Sequence, residues 1–152
     1  MNLGRLSWHE FLAIAGGVLL AAALFLPWYE AANNNALIAG AKGPGTFTAW
    51  EVHGLVRWLW LATAAAPLIL AYIVLRGHAL SWPRGELTAV IAIAAFGLAA
   101  YNGIVDRPGE PSGLISSAYG LWVALGGIAL MLVGSALRAS GTERPRKPPG
   151  VL

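Results

Sequence analysis

The stretch PWYEAANNNALIAGAKGPGTFTAWEVHGLVRWLW, Pro27 to Trp60, decides how the rest of the chain is read. It is the one long polar interruption in a sequence otherwise built of apolar segments. It opens on Pro27-Trp28-Tyr29-Glu30, passes the turn formers Asn33-Asn34-Asn35 and Gly43-Pro44-Gly45, and closes on Trp50-Glu51-Val52-His53 ahead of Arg57-Trp58-Leu59-Trp60. Four of the seven Trp lie in it, at its two ends. An indole is apolar with one wet N–H, so Trp collects at membrane–water interfaces. Residues 28–51 are therefore expected to form an aromatic-rimmed outer cap between two helix mouths at one membrane surface.

Composition sets the solvent. Of 152 residues 57% are hydrophobic and only 11% charged, with a mean hydropathy of +0.64, whereas soluble domains carry about 25% charge. Lipid is the expected surroundings, and the length suits one domain. The net charge of +3 and pI near 9.7 are explained by basic residues sorted to one membrane side, and no nucleic-acid-reading pattern occurs. There are no cysteines, which excludes disulfides, thiolate nucleophiles and Cys-based metal sites.

Outward from the cap, the sequence predicts an all-α integral membrane protein of four transmembrane helices in an antiparallel bundle, with spans at about 8–28, 52–75, 86–105 and 114–137. The first apolar run, with Arg5 before it and Ala21-Ala22-Ala23 near its end, also fits a signal peptide. Trp8 to Trp28 nevertheless offers enough residues to cross about 30 Å, and an uncleaved helix is the preferred reading. Pro67 falls inside the second span, where it removes one backbone bond and predicts a kink. Glu86 opens the third span, where a carboxylate suits the helix dipole. Asp106 to Gly113 reads as a fixed turn, and the tail 138–152, rich in Arg and Pro, as disordered near anionic headgroups.

Four spans put both termini on one side. Arg5, Arg76, Arg84, Arg138, Arg144, Arg146 and Lys147 lie on that side, against Lys42, Arg57 and Arg107 on the other. The asymmetry predicts a multi-pass plasma-membrane protein with cytoplasmic termini and the cap outside.

Small residues recur every four positions at Ala13, Gly17, Ala21; at Ala95, Ala99, Gly103; and at Ser116, Gly120, Ala124. Helices in lipid associate by close backbone approach along such stripes, within the bundle or against a second copy, so Gly17, Gly103 and Gly120 are the candidate packing residues. Arg57, one turn into the second span, is either an interfacial anchor against Trp58 and Trp60 or the partner of Asp106, Glu110, Glu51 or Glu30. Arg57 and Asp106 are accordingly the candidate structural polar residues. His9, His53 and His78 are too dispersed for a metal site, and no nucleophile elbow, phosphate loop or dinucleotide fingerprint occurs. No cofactor is implied.

Leu26-Pro27-Trp28-Tyr29, then Phe47-Thr48-Ala49-Trp50-Glu51, then three spans ending in a Gly-rich, aromatic-marked helix, resembles small four-helix membrane proteins of actinobacteria. That resemblance brings no activity with it. More distantly, Leu-Pro-Trp followed by Trp-Glu in a larger first outer loop resembles claudin-type tetraspans, whose loop binds partners and other copies. This chain has neither of their two loop cysteines, and its loop is shorter. Those departures count against a sheet-like outer domain and a junction-forming role.

The function expected from these residues is non-enzymatic association in the cell envelope through the cap, with Trp28, Leu37, Ile38, Phe47 and Trp50 as its binding residues. Membrane lipid and a second copy or another membrane protein are the expected partners. A loop of 24 residues between Trp28 and Glu51 exceeds the two to eight that a helix connection needs, and its apolar runs must pack on the bundle mouth, enter lipid or meet a partner. One rival reading is an accessory subunit contacting a larger complex through helix faces. Another is a small membrane enzyme using Glu30, Glu51, His53 or Arg57.

Overall fold

A computed structural model describes residues 6–76 and 85–140. The basic turn ahead of Glu86 and the tail beyond Ser140 lie outside the described residues. Helix α1 covers Trp8–Ala23, the single turn α2 Ala49–Val52, α3 Val56–Leu75, α4 Glu86–Ala100 and α5 Tyr119–Ser140, with a π turn, Tyr101–Val105, extending α4. Three helices are long and apolar enough to cross a membrane: α3 with 20 residues, α4 with its π turn, also 20, and α5 with 22. α1 is a shorter apolar helix of 16 residues.

The third expected span has the expected bounds, and the others shift where local hydrogen bonding outweighs hydropathy. α1 stops at Ala23 rather than at Trp28. Pro27 has no N–H for a helix and starts a strand, while the Trp28 indole turns back and donates to Ala23 O at 2.8 Å, taking one of the carbonyls a helix end leaves over. Ahead of α3, Thr48 and Glu51 form a reciprocal cap that starts α2: Glu51 N donates to Thr48 Oγ1 at 3.2 Å, and Thr48 N to Glu51 Oε2 at 2.8 Å. α3 consequently begins at Val56, not at 52. α5 begins at Tyr119 rather than 114 and reaches Ser140, so residues 138–140 of the expected tail are helical.

The all-helical expectation needs correction, because the cap contains a small sheet. Strands β1 (Pro27–Ala31), β4 (Gly45–Thr48) and β5 (Ile115–Ser117) pair antiparallel in the order β4-β1-β5; β2 (Leu37–Ile38) and β3 (Ala41–Lys42) form a separate hairpin. A loop that covers an apolar surface must still pair its backbone N–H and C=O groups, and strand ladders do so. β5 belongs to the loop after α4, so the two loops are sewn together, again where Leu37 N donates to Glu110 O at 2.8 Å and Glu110 N to Leu37 O at 2.9 Å. Pairing between loops supplies the constraint that cysteines would have supplied.

Below the cap α1 packs most extensively on α5, and α5 on α4. α1 and α5 run antiparallel with glycines at the crossing: a Cβ on Gly16 would lie 2.5 Å from Gly127 O, and one on Gly134 2.6 Å from His9 O. The stripe glycines also face partners inside the chain. Gly17 meets Ala64 and Pro67 of α3, Gly103 meets Leu121, and Gly120 meets Leu26 and Pro27. Pro67 is buried inside α3 opposite Gly17, whose missing side chain makes room for the ring. The core runs from Met131, Ile128 and Leu20 up through Leu121 and Leu24 to Trp60, Trp28 and Tyr29, all fully buried.

Candidate functional site

The polar residues of most consequence lie where the cap meets the helices. β1 carries a register irregularity between Pro27 and Tyr29, so Trp28 and Tyr29, consecutive in an extended strand, are both fully buried. His53, in the break between α2 and α3, is buried beside them, and Trp60 closes the group from the second turn of α3. The Trp28 and Trp60 rings are 4.9 Å apart between centroids, and His53 stands edge-on to Trp60 at 5.0 Å.

The π turn supplies the acceptors. A fifth-residue hydrogen-bond pattern displaces carbonyls from the regular ladder, and two of these are taken by cap side chains. The Tyr29 hydroxyl lies 3.2 Å from Asn102 O, and the Ser117 hydroxyl donates to Gly103 O at 2.6 Å. Tyr29 Oη is also 2.7 Å from His53 Nε2. A hydroxyl has one proton, so the arrangement that uses both contacts has His53 Nε2–H donating to Tyr29 and Tyr29 donating to Asn102. Asn102 in turn donates through Nδ2 to Leu98 O at 2.9 Å. β1, the α2–α3 break and α4 are thereby joined through His53, Tyr29 and Asn102, and β5 is tied to the same π turn by the separate Ser117 bond.

Burial keeps this junction neutral. It pushes the His53 imidazole down to about 4 and holds the Tyr29 phenol above its ordinary range. Unfolded His53 binds a proton below about 6.5, folded His53 only below about 4, so stability is full above about pH 6.5 and falls with pH through that window. Thermal unfolding in mild detergent is expected to lose on the order of 2 kcal/mol between pH 7 and pH 4 from this group. His53→Gln should flatten that slope, and an unchanged slope in the variant would show that other groups cause it.

The expected cap residues divide. Trp28 and Ile38 are core residues, Phe47 is half-buried against the core, and Trp50 is half-buried between the rings of Phe25 and Trp58, each with its centroid 5.1 Å away. Leu37 alone of the five is exposed, at 46%. Arg57 donates from Nη1 to Trp50 O at 2.7 Å, with its guanidinium 4.9 Å from the Trp50 ring centroid and 5.9 Å from that of Trp58. That is the anchoring arrangement, and among the described residues Arg57 forms no ion pair with Asp106 or any other carboxylate. Asp106 is exposed on its loop. Glu51, exposed, is held by Thr48, whose backbone N–H and hydroxyl lower its carboxyl below the ordinary range; Glu30 is exposed on β1.

Tyr29, Asn102 and Ser117 were not singled out by sequence reasoning. Asn102 gave a usable signal, as the one amide in an apolar segment from Leu87 to Val105. Among the described residues no three His, Asp or Glu side chains converge on a position that could hold a metal. No protein-family model, no curated protein and no solved structure matches the chain.

Proposed function

We propose that the chain is a non-enzymatic integral membrane protein of four spans in an antiparallel bundle, with cytoplasmic termini and an extracellular cap that recognises a partner protein or a second copy. α1, at about 24 Å for 16 residues, completes the four. It is shorter than the hydrocarbon layer, a mismatch that local thinning and the exposed Trp8 at its end accommodate. The orientation rests on the seven basic residues assigned to the terminus side against three on the other.

The observation that carries the recognition reading is that the cap is folded and held, with an apolar side chain left outside it. Its inward side chains are used up in the core, both loops are tied to each other and to the π turn, and Leu37 projects from the β2–β3 hairpin. A surface ordered before binding loses less entropy on association than a mobile loop would. Leu37→Ser separates recognition from folding. It should melt within about 0.5 kcal/mol of the wild type and yet lose the companion or oligomer retained on gentle solubilisation. Ile38→Ser, which places a hydroxyl at a buried position, should instead lose about 3 kcal/mol of stability. Undiminished copurification with Leu37→Ser would refute the recognition reading.

A further inference from the structure

The fold fixes the Arg57 guanidinium in place and leaves its charge uncompensated. Nη1 donates to Trp50 O at 2.7 Å, and the guanidinium carbon lies 4.9 Å from the Trp50 ring centroid and 5.9 Å from that of Trp58. Nε is buried, whereas Nη2 is neither buried nor bonded to any described residue. The acid nearest in sequence, Glu51, is committed to the cap of α2, where its Oε2 accepts from Thr48 N at 2.8 Å and from Thr48 Oγ1 at 2.9 Å. The first turn of α3 has no acidic residue, and among the described residues no carboxylate lies within ion-pair distance of Arg57. Two rings and a carbonyl therefore hold a cation whose outer N–H groups still call for an anionic acceptor.

The surroundings of Arg57 say where that acceptor comes from. It is the second residue of α3, whose 20 residues span about 30 Å, the thickness of the hydrocarbon layer. On the membrane reading above, the guanidinium lies at the edge of that layer, next to the lipid phosphates. Phe25, Leu55, Trp58 and Leu59 are exposed beside it in sequence or in ring contact, Leu55 at 80%. We propose that Arg57, framed by Trp50 and Trp58, binds the phosphodiester of one glycerophospholipid whose acyl chains lie along these apolar side chains. A planar guanidinium offering N–H groups from two nitrogens matches a pair of phosphate oxygens. A free phosphate ion would meet the cation and leave the rings and leucines uncovered. A diacylglycerol would cover them and leave the cation unmet. A phospholipid does both.

The test uses the full-length protein, delipidated in mild detergent and titrated in native mass spectrometry with dioleoylphosphatidylglycerol or with dioleoylglycerol, which has the same chains and no phosphate. The wild type should bind one phospholipid about tenfold more tightly than the diacylglycerol. Arg57→Gln should bind the two within about twofold of each other. Gly54→Asp leaves Arg57 and its contact with Trp50 intact: Gly54 is exposed, has nothing within 4 Å of an added Cβ, and lies three residues ahead of Arg57. Its carboxylate supplies the counter-charge from within the chain, so this variant should lose the phospholipid preference with its melting temperature unchanged. A preference that survives in either folded variant, or is missing from the wild type, overturns the assignment. So does inorganic phosphate that competes with the phospholipid at equal concentration, because the cation would then serve a soluble anion. Alkaline carbonate extraction distinguishes the two levels: release from membranes defeats the membrane reading itself, whereas a carbonate-resistant protein without phospholipid preference defeats the Arg57 assignment alone.

Discussion

Gly16→Val is expected to yield no folded protein. A Cβ at Gly16 would sit 2.5 Å from Gly127 O and 2.6 Å from Met131 N, and both are backbone atoms of α5 that no rotamer change can move. α1 and α5 would have to separate along their whole contact, since a Cβ on Gly127 would lie 2.9 Å from Leu20 N and one on Gly134 2.6 Å from His9 O. Overpacking among side chains costs about 1–3 kcal/mol. Against backbone on both sides the cost should exceed about 4 kcal/mol, a large share of the 5–15 kcal/mol that holds a domain together. Gly126→Ala, with nothing within 4 Å, is the matched control and should be neutral or slightly stabilising. Size-exclusion profiles and melting temperatures of the two variants in one detergent decide the point. A monodisperse Gly16→Val protein with wild-type melting would mean that the helices are not in close contact there.

Arg138→Ala is the second large effect. Glu10 is only 4% exposed, and its Oε1 lies 3.4 Å from Arg138 Nε, while Oε2 accepts from Ser7 N at 2.6 Å. The pair joins the start of α1 to the end of α5. Removing the cation leaves a buried carboxylate short of its counter-charge, and breaking such pairs costs about 3–5 kcal/mol. Arg138 keeps 23% of its side-chain surface exposed, which places the expected loss at the lower end, about 3 kcal/mol. The double variant Glu10→Leu/Arg138→Leu should recover most of it, because no charge is left behind. If Arg138→Ala destabilises no more than Lys42→Ala on the exposed β3 strand, the pair is solvated and contributes little.

Long-range hydropathy made the apolar helices legible in the sequence, since 20 residues of continuous apolar character leave few alternatives. Their ends were harder to read. The end of α1 depends on an indole folding back to Ala23, and the start of α5 on three residues diverted into β5, neither of which has a compositional signature. The sheet was illegible for a related reason. Its strands are five, four and three residues long, and the third, about seventy residues later in the chain, falls in residues read as the start of the fourth span. Within the cap, Leu37 and Ile38 look equivalent as an apolar pair, but strand alternation puts one outside and the other at 1% exposure. Gly17, Gly103 and Gly120, one from each small-residue stripe, all meet partners within the chain, but of different kinds: Gly17 faces the backbone of α3, Gly103 the Leu121 side chain, and Gly120 the backbone of Leu26 and Pro27. Arg57 stayed open between anchor and ion-pair partner, because the sequence shows Trp58 and Trp60 beside it but not which carboxylates come within reach. The junction of Tyr29, His53, Asn102 and Ser117 could not be assembled from spacing, because it draws one residue from each of four separate elements.

The most direct test of the account is the side of the membrane on which the cap lies. The chain has no native cysteine, so single replacements report cleanly. Gly109, an obvious loop position, is unsuitable: its φ of +104° strains any side chain. Asn34 in the cap, Ser112 in the loop after α4 and Ser140 at the end of α5 are all exposed and have no such constraint. With a membrane-impermeant thiol reagent on intact cells, Asn34→Cys and Ser112→Cys should label, and Ser140→Cys should label only after lysis. Labelling of Ser140→Cys on intact cells, or protection of Asn34→Cys until lysis, would contradict an extracellular cap.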